Sequence, residues 1–166
     1  FIAQGSENGF GKKYARGIND SVLGSKDQFI QVVSCNTHNI SCITNTIALA
    51  GNEDNNLKNG NFLCVRRAND LSQEDSFIPS PKVGMHDDEE YGTHHARDAS
   101  GLFNTLGLDL DLFSSAMKVN SQYMHILWFR LILNNTMHMD DLKNKLNDNP
   151  LVAMTTKDMT SSVFSF

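Results

Sequence analysis

The run Phe29-Ile30-Gln31-Val32-Val33 has the apolar, β-branched character of a strand. It passes directly into Ser34-Cys35-Asn36-Thr37, after which Ile40, Ile43, Ile47 and Ala50 recur at helical spacing, with Gly51 as the expected stop. A strand running straight into a helix makes an elbow, and the elbow sets Cys35 where the unpaired N–H groups of a helix start converge. The positive end of the helix dipole and those free donors favour a thiolate, the reactive form of cysteine. Cys35 is therefore the first candidate nucleophile. A cysteine at the end of a buried strand is also a common packing residue, and that alternative stays open at this point.

At 166 residues the chain is long enough for one domain with a real core. No apolar run approaches the roughly 20 residues of a membrane span, and the first residues lack a basic stretch followed by an apolar signal core. A soluble cytoplasmic protein without a membrane partner is expected. Net charge is −5 with scattered Lys and Arg, so no basic stripe argues for nucleic acid. Cys35, Cys42 and Cys64 are odd in number and irregular in spacing, which suits reduced thiols better than disulfides or zinc.

The first residues read as the tail of a buried strand, and the chain reads as beginning and ending within a domain. Residues 11–24 have weak pattern, residues 51–61 read as a polar loop, and residues 62–67 alternate as a strand ending in Arg66-Arg67. Residues 71–91, with Pro79, Pro81 and the acidic run Asp87-Asp88-Glu89-Glu90, read as a surface excursion. Thr93 is placed to cap a helix starting His94-His95. Residues 109–119 and 123–133 read as two strands of one hairpin, with His125 early in the second. A short amphipathic helix follows over 137–146, ended by Asn149-Pro150, then strands at 151–154 and at the C-terminus. Short links between the late strands predict an α+β fold, a largely antiparallel sheet with helices on one face.

Arg66 or Arg67 has the fork geometry for a phosphate, although alternation lets only one of them face a given site. His94 and His95 at a helix start would add donors beside a positive dipole end. They are not read as metal ligands, because neighbouring helical residues diverge by about 100°.

Taken in order, Val32-Val33-Ser34-Cys35-Asn36-Thr37, Val65-Arg66-Arg67-Ala68, His94-His95-Ala96-Arg97-Asp98 and Tyr123-Met124-His125 resemble the archaeal-type (type II) glyceraldehyde-3-phosphate dehydrogenases. The resemblance implies that Cys35 attacks an aldehyde and that hydride passes to NAD or NADP. Inorganic phosphate then releases the acyl group from the thioester. It assigns His125 as proton acceptor and thiolate partner, and sets Ser34, Asn36 and Thr37 beside the substrate carbonyl. His94, His95 and Arg66 would touch the phosphorylated aldehyde or phosphate, and Arg67, with Gly5 of Gln4-Gly5-Ser6, the cofactor. His38 stands where the family has a second threonine, and Leu127 where it has a second histidine. No Gly-x-Gly-x-x-Gly unit for a dinucleotide is found, so residues 1–166 are expected to be the catalytic domain of a longer enzyme, truncated on both sides and inactive alone. A homotetramer is implied for that parent. Two alternatives remain: a catalytically idle fold-alike kept for assembly or binding, and a related semialdehyde dehydrogenase.

Overall fold

The computed structural model describes residues 1–49, 55–69 and 78–164. Three short strands, β1 (Ile2–Gln4), β2 (Lys12–Tyr14) and β3 (Ile30–Val32), form an all-parallel sheet in the order β1-β3-β2. The strand expected before Cys35 is thus the centre of this sheet, and only Val33 and Ser34 separate its end from the start of α1 (Cys35–Thr44). A π-helical turn, Asn45–Leu49, continues α1, and the Gly51 stop lies outside the described residues. β1 forms as expected, yet it is not buried: Ile2 is 73% exposed. β2 gives the weakly patterned residues 11–24 a strand they were not expected to contain.

A second sheet holds β4 (Leu57–Arg66), β5 (Lys82–Val83), β6 (Leu112–Lys118) and β7 (Ile126–Leu133) in the order β5-β6-β4-β7. β4 starts at Leu57, inside the segment expected to be loop, because Leu57, Gly60 and Phe62 turn inward while Lys58 points out, with an irregularity between Leu57 and Asn59. β4 pairs with β6 in parallel and with β7 antiparallel. The expectation of a largely antiparallel sheet is therefore corrected: this sheet is mixed and the other is parallel. β6 and β7 do not form the expected hairpin, since β4 lies between them. The link over residues 119–125 instead arches across the end of β4. Val119 N–H donates to Arg66 C=O at 2.9 Å and Ala68 N–H to Ser121 C=O at 2.8 Å.

One face of the mixed sheet carries Phe62, Cys64, Leu112 and Ala116, all buried, with Leu127 and Leu131 of β7 in register beside them. Helices α1 and α2 (His94–Asn104) cover this face, so the expectation of helices on one face holds. Ile40, Leu49, Leu102 and Phe103 are fully buried between the layers, and their burial is the main driving force for docking the helices. The opposite face is open, with Trp128 58% exposed. α3 (Met139–Asp148) matches its expected place before Asn149-Pro150. Residues 151–154 pair with no strand, and the expected C-terminal strand is instead α4 (Thr160–Phe164). Among the described residues no helix is long and apolar enough to cross a membrane.

Candidate active site

The elbow is fixed by Ser34. Its Oγ accepts from Thr37 N–H at 3.4 Å and meets Thr37 Oγ1 at 3.0 Å, while its C=O accepts the first helical bond from His38 N–H at 2.8 Å. That is an N-cap, and it leaves the N–H groups of Cys35 and Asn36 without an acceptor inside the helix. Of the three thiols, Cys35 alone is exposed. Burial pushes the Cys64 thiol up to about 12 and raises that of Cys42, so neither is a nucleophile at neutral pH. Asn36 and Thr37 are buried, and Thr37 Oγ1 reaches His95 C=O at 3.5 Å, tying α1 to α2. Their side chains therefore build the elbow from inside.

The second helix start is built differently from expectation. Thr93 occupies the cap position but makes no cap bond; its hydroxyl meets Ser114 Oγ at 2.6 Å, and Ser114 Oγ accepts from Ala96 N–H at 3.0 Å. A serine on β6 thus caps α2 from across the layer. Gly92, with φ +74°, permits this approach, because a Cβ there would lie 2.4 Å from Ser114 C=O.

His95 is 2% exposed and neither ring nitrogen has a partner. Its ring centroid lies 4.0 Å from that of His94. Burial, reinforced by the charges of His94, Arg66 and His125, drops the His95 pKa to about 3, and burial also lowers that of His94. Both rings are therefore neutral at pH 7, and positive charge in this neighbourhood falls to Arg66 and Arg97. Arg66 shares the inward face of β4 with Cys64 and lies within electrostatic reach of Cys64, His94 and His95; its Nε is buried without a partner. Cys35 in turn acts on Cys64. Arg67 enters through its backbone, whose N–H donates to His125 Nδ1 at 3.1 Å. His125 thus lies on the arch just before β7 rather than within the strand. With Nδ1 accepting, the neutral ring carries its proton on Nε2.

Arg66 thus lies within electrostatic reach of His94, His95 and Cys64, His125 of His95, and Cys35 of Cys64. Gly5 follows β1, donates its N–H to Val32 C=O at 3.0 Å, and has φ +110° with open space where a Cβ would lie. The pyrophosphate of a dinucleotide needs a glycine-rich turn ahead of a helix, and α1 opens on Ser34-Cys35-Asn36 instead. Among the described residues no helix start offers such a turn. Sequence reasoning missed Ser114, whose place depends on strand packing across the layer; it read no signal there.

No protein-family model matches the chain. Among curated proteins it is similar to one named glyceraldehyde-3-phosphate dehydrogenase from Methanobacterium formicicum, 28% identical over 131 residues that cover 76% of this chain and 34% of that protein. The chain thus spans about a third of the length of the curated relative it matches. The relation is distant, and it is to a dehydrogenase.

Proposed function

We propose that this chain carries the acyl-forming site of an NAD(P)-dependent phosphorylating aldehyde dehydrogenase resembling type II glyceraldehyde-3-phosphate dehydrogenase. The observation that supports it best is the elbow: the one exposed thiol of the three stands at a capped helix start. The Cys35 thiolate adds to the aldehyde carbon, and the electron pair of the C=O bond moves to oxygen. The free N–H groups of Cys35 and Asn36 and the Nε2–H of His125 receive that oxyanion. Because His125 Nδ1 is engaged by Arg67 N–H, the imidazole serves as a donor that holds the alkoxide, and the proton stays on Nε2. Collapse of the alkoxide expels hydride and leaves a thioester on Cys35; the nicotinamide cofactor, when bound, is the hydride acceptor. Attack by a phosphate oxygen on the thioester carbon then breaks the C–S bond, giving an acyl phosphate and the thiolate again. Arg66 supplies the positive charge for a phosphate group, and the neutral His94 and His95 supply shape and N–H donors.

The test is alkylation by iodoacetamide at pH 6, followed residue by residue. Exposure alone makes Cys35 faster than Cys42 and Cys64, so the decisive comparison is with Cys35 in the urea-unfolded chain. An activated thiol reacts faster folded than unfolded, and His125→Asn slows it. A folded rate at or below the unfolded rate refutes the proposal.

A further inference from the structure

The face of α1 that begins at Cys35 continues beyond the site. At about 100° per residue, Cys35, Asn39 and Cys42 fall on one stripe of the helix, with Ile43 at its flank. Cys35 and Asn39 are exposed. From Asn39 onward the stripe borders a hollow of about 280 Å³, lined by Asn39, Cys42 and Ile43 of α1, by Leu127 and Phe129 of β7, and by residues 151–153. A helical rise of about 1.5 Å per residue puts Asn39 about 6 Å and Cys42 about 10 Å along the axis from Cys35. The β7 wall also starts near the thiol: Leu127 pairs in register with Cys64, which lies within electrostatic reach of Cys35.

The third wall is fastened in place. Asn149 Nδ2 donates to Thr46 Oγ1 at 2.6 Å and to Cys42 Sγ at 3.7 Å, its Oδ1 accepts from Leu151 N–H at 2.9 Å, and its C=O accepts from Val152 N–H at 3.0 Å. One asparagine thus ties the chain after α3 to α1, and Val152 packs against the core. The surface of the hollow is largely hydrocarbon: Ile43, Leu127 and Val152 are half-buried, and Phe129 is 37% exposed. Apolar walls left open beside a nucleophile are where an apolar substituent gains by leaving water. Leu127, two residues past His125, is also where the resemblance to type II enzymes breaks, since hydrocarbon replaces a histidine there.

We infer that this groove takes the apolar tail of the group acylated onto Cys35, so that the aldehyde of the site is an aliphatic one with a short unbranched chain. The inference rests on Cys35 being the acyl-forming nucleophile and adds the class of its substrate. Phosphate remains the second reactant, and Arg66 keeps its role toward it.

Acylation of the full chain by hexanoyl phosphate and by acetyl phosphate tests it. The Cys35 thiolate forms a C–S bond to the acyl carbon, the C–O bond to the phosphate oxygen breaks, and inorganic phosphate leaves with the electron pair. Rates are read at Cys35 by intact mass and peptide mapping, each divided by the rate with free cysteine. Since each buried methylene contributes about fourfold, hexanoyl phosphate is expected to react faster than acetyl phosphate by about tenfold or more. Leu127→Asn makes the wall polar, and Ala153→Trp fills the hollow from an exposed position; each brings the ratio to about threefold or less. Should Leu127→Asn fail to fold, Ala153→Trp decides. Trp128→Ser, on the opposite face of β7 and 58% exposed, leaves the ratio unchanged. A second readout needs no acyl transfer: in Cys35→Ser, saturation-transfer NMR is expected to reach the terminal methyl of hexanamide, and added Ala153→Trp abolishes the signal. Acylation at a ratio near one, or a ratio that both wall variants leave intact, overturns the inference while the enzymatic reading stands. Acylation by neither acyl phosphate overturns that reading and the inference with it.

Discussion

His95 offers a quantitative handle on the site. An ordinary histidine titrates near 6.5, whereas in the fold burial holds this one at about 3. Between those values the unfolded chain binds a proton that the folded chain refuses, so stability falls as pH drops from about 6.5 toward about 3 and is fully present above 6.5. The slope approaches ~1.4 kcal/mol per pH unit, and integration from pH 7.5 to 5 gives a loss of ~2 kcal/mol. That is a large share of the 5–15 kcal/mol typical of a domain. His94, also lowered by burial, adds loss of the same sign. Replacing His95 by Leu removes this proton and its two unpartnered ring nitrogens, so the variant loses ~2 kcal/mol less than the parent over that interval. Urea titrations at pH 5.0, 6.0, 6.5 and 7.5 give both curves. If the two curves run parallel, His95 is not held neutral by burial and the account of this site is wrong.

Other consequences are local. Ser114→Ala removes the cap that β6 gives to α2 and leaves Ala96 N–H and Thr93 Oγ1 without their partner, at a cost of about 1–2 kcal/mol in denaturant midpoint analysis. Ser34→Ala removes the cap of α1, costs about 1 kcal/mol and slows Cys35 alkylation in the folded chain. The Lys13 and Asp98 pair ties β2 to α2, with Asp98 1% exposed. Lys13→Met leaves that buried carboxylate with only the more distant Arg97 Nε at 3.8 Å and costs about 3 kcal/mol, most of which the double variant with Asp98→Leu recovers.

What could be read from the residues divides along one line: local pattern was legible and register was not. The elbow at Cys35, the helix ending before Asn149-Pro150 and the strand character of β6 and β7 each follow from spacing within a short window. Alternation shows which residues share a face but not which strand lies alongside. The insertion of β4 between β6 and β7 was therefore hidden, and a hairpin was expected in its place. The length of the link over 119–125, too long for a two-residue hairpin turn, was the available clue, and that link is what delivers His125. Thr93 was legible as a helix start, while its cap comes from Ser114, distant in sequence. The candidate site shows the same division: Cys35 stood out from its flanks, whereas the place of His125 beside the backbone of Arg67 exists only once the strand order is known.

The central claim is that Cys35 forms and releases an acyl group, and acyl transfer reports this without a nicotinamide cofactor. Incubating the full chain with 1,3-bisphosphoglycerate and reading the product by intact mass and peptide mapping should find one acyl group on Cys35. It should be absent from Cys35→Ser, slower to form in His125→Asn, and removed by added phosphate. An unmodified chain, or label spread evenly over Cys35, Cys42 and Cys64, would contradict it.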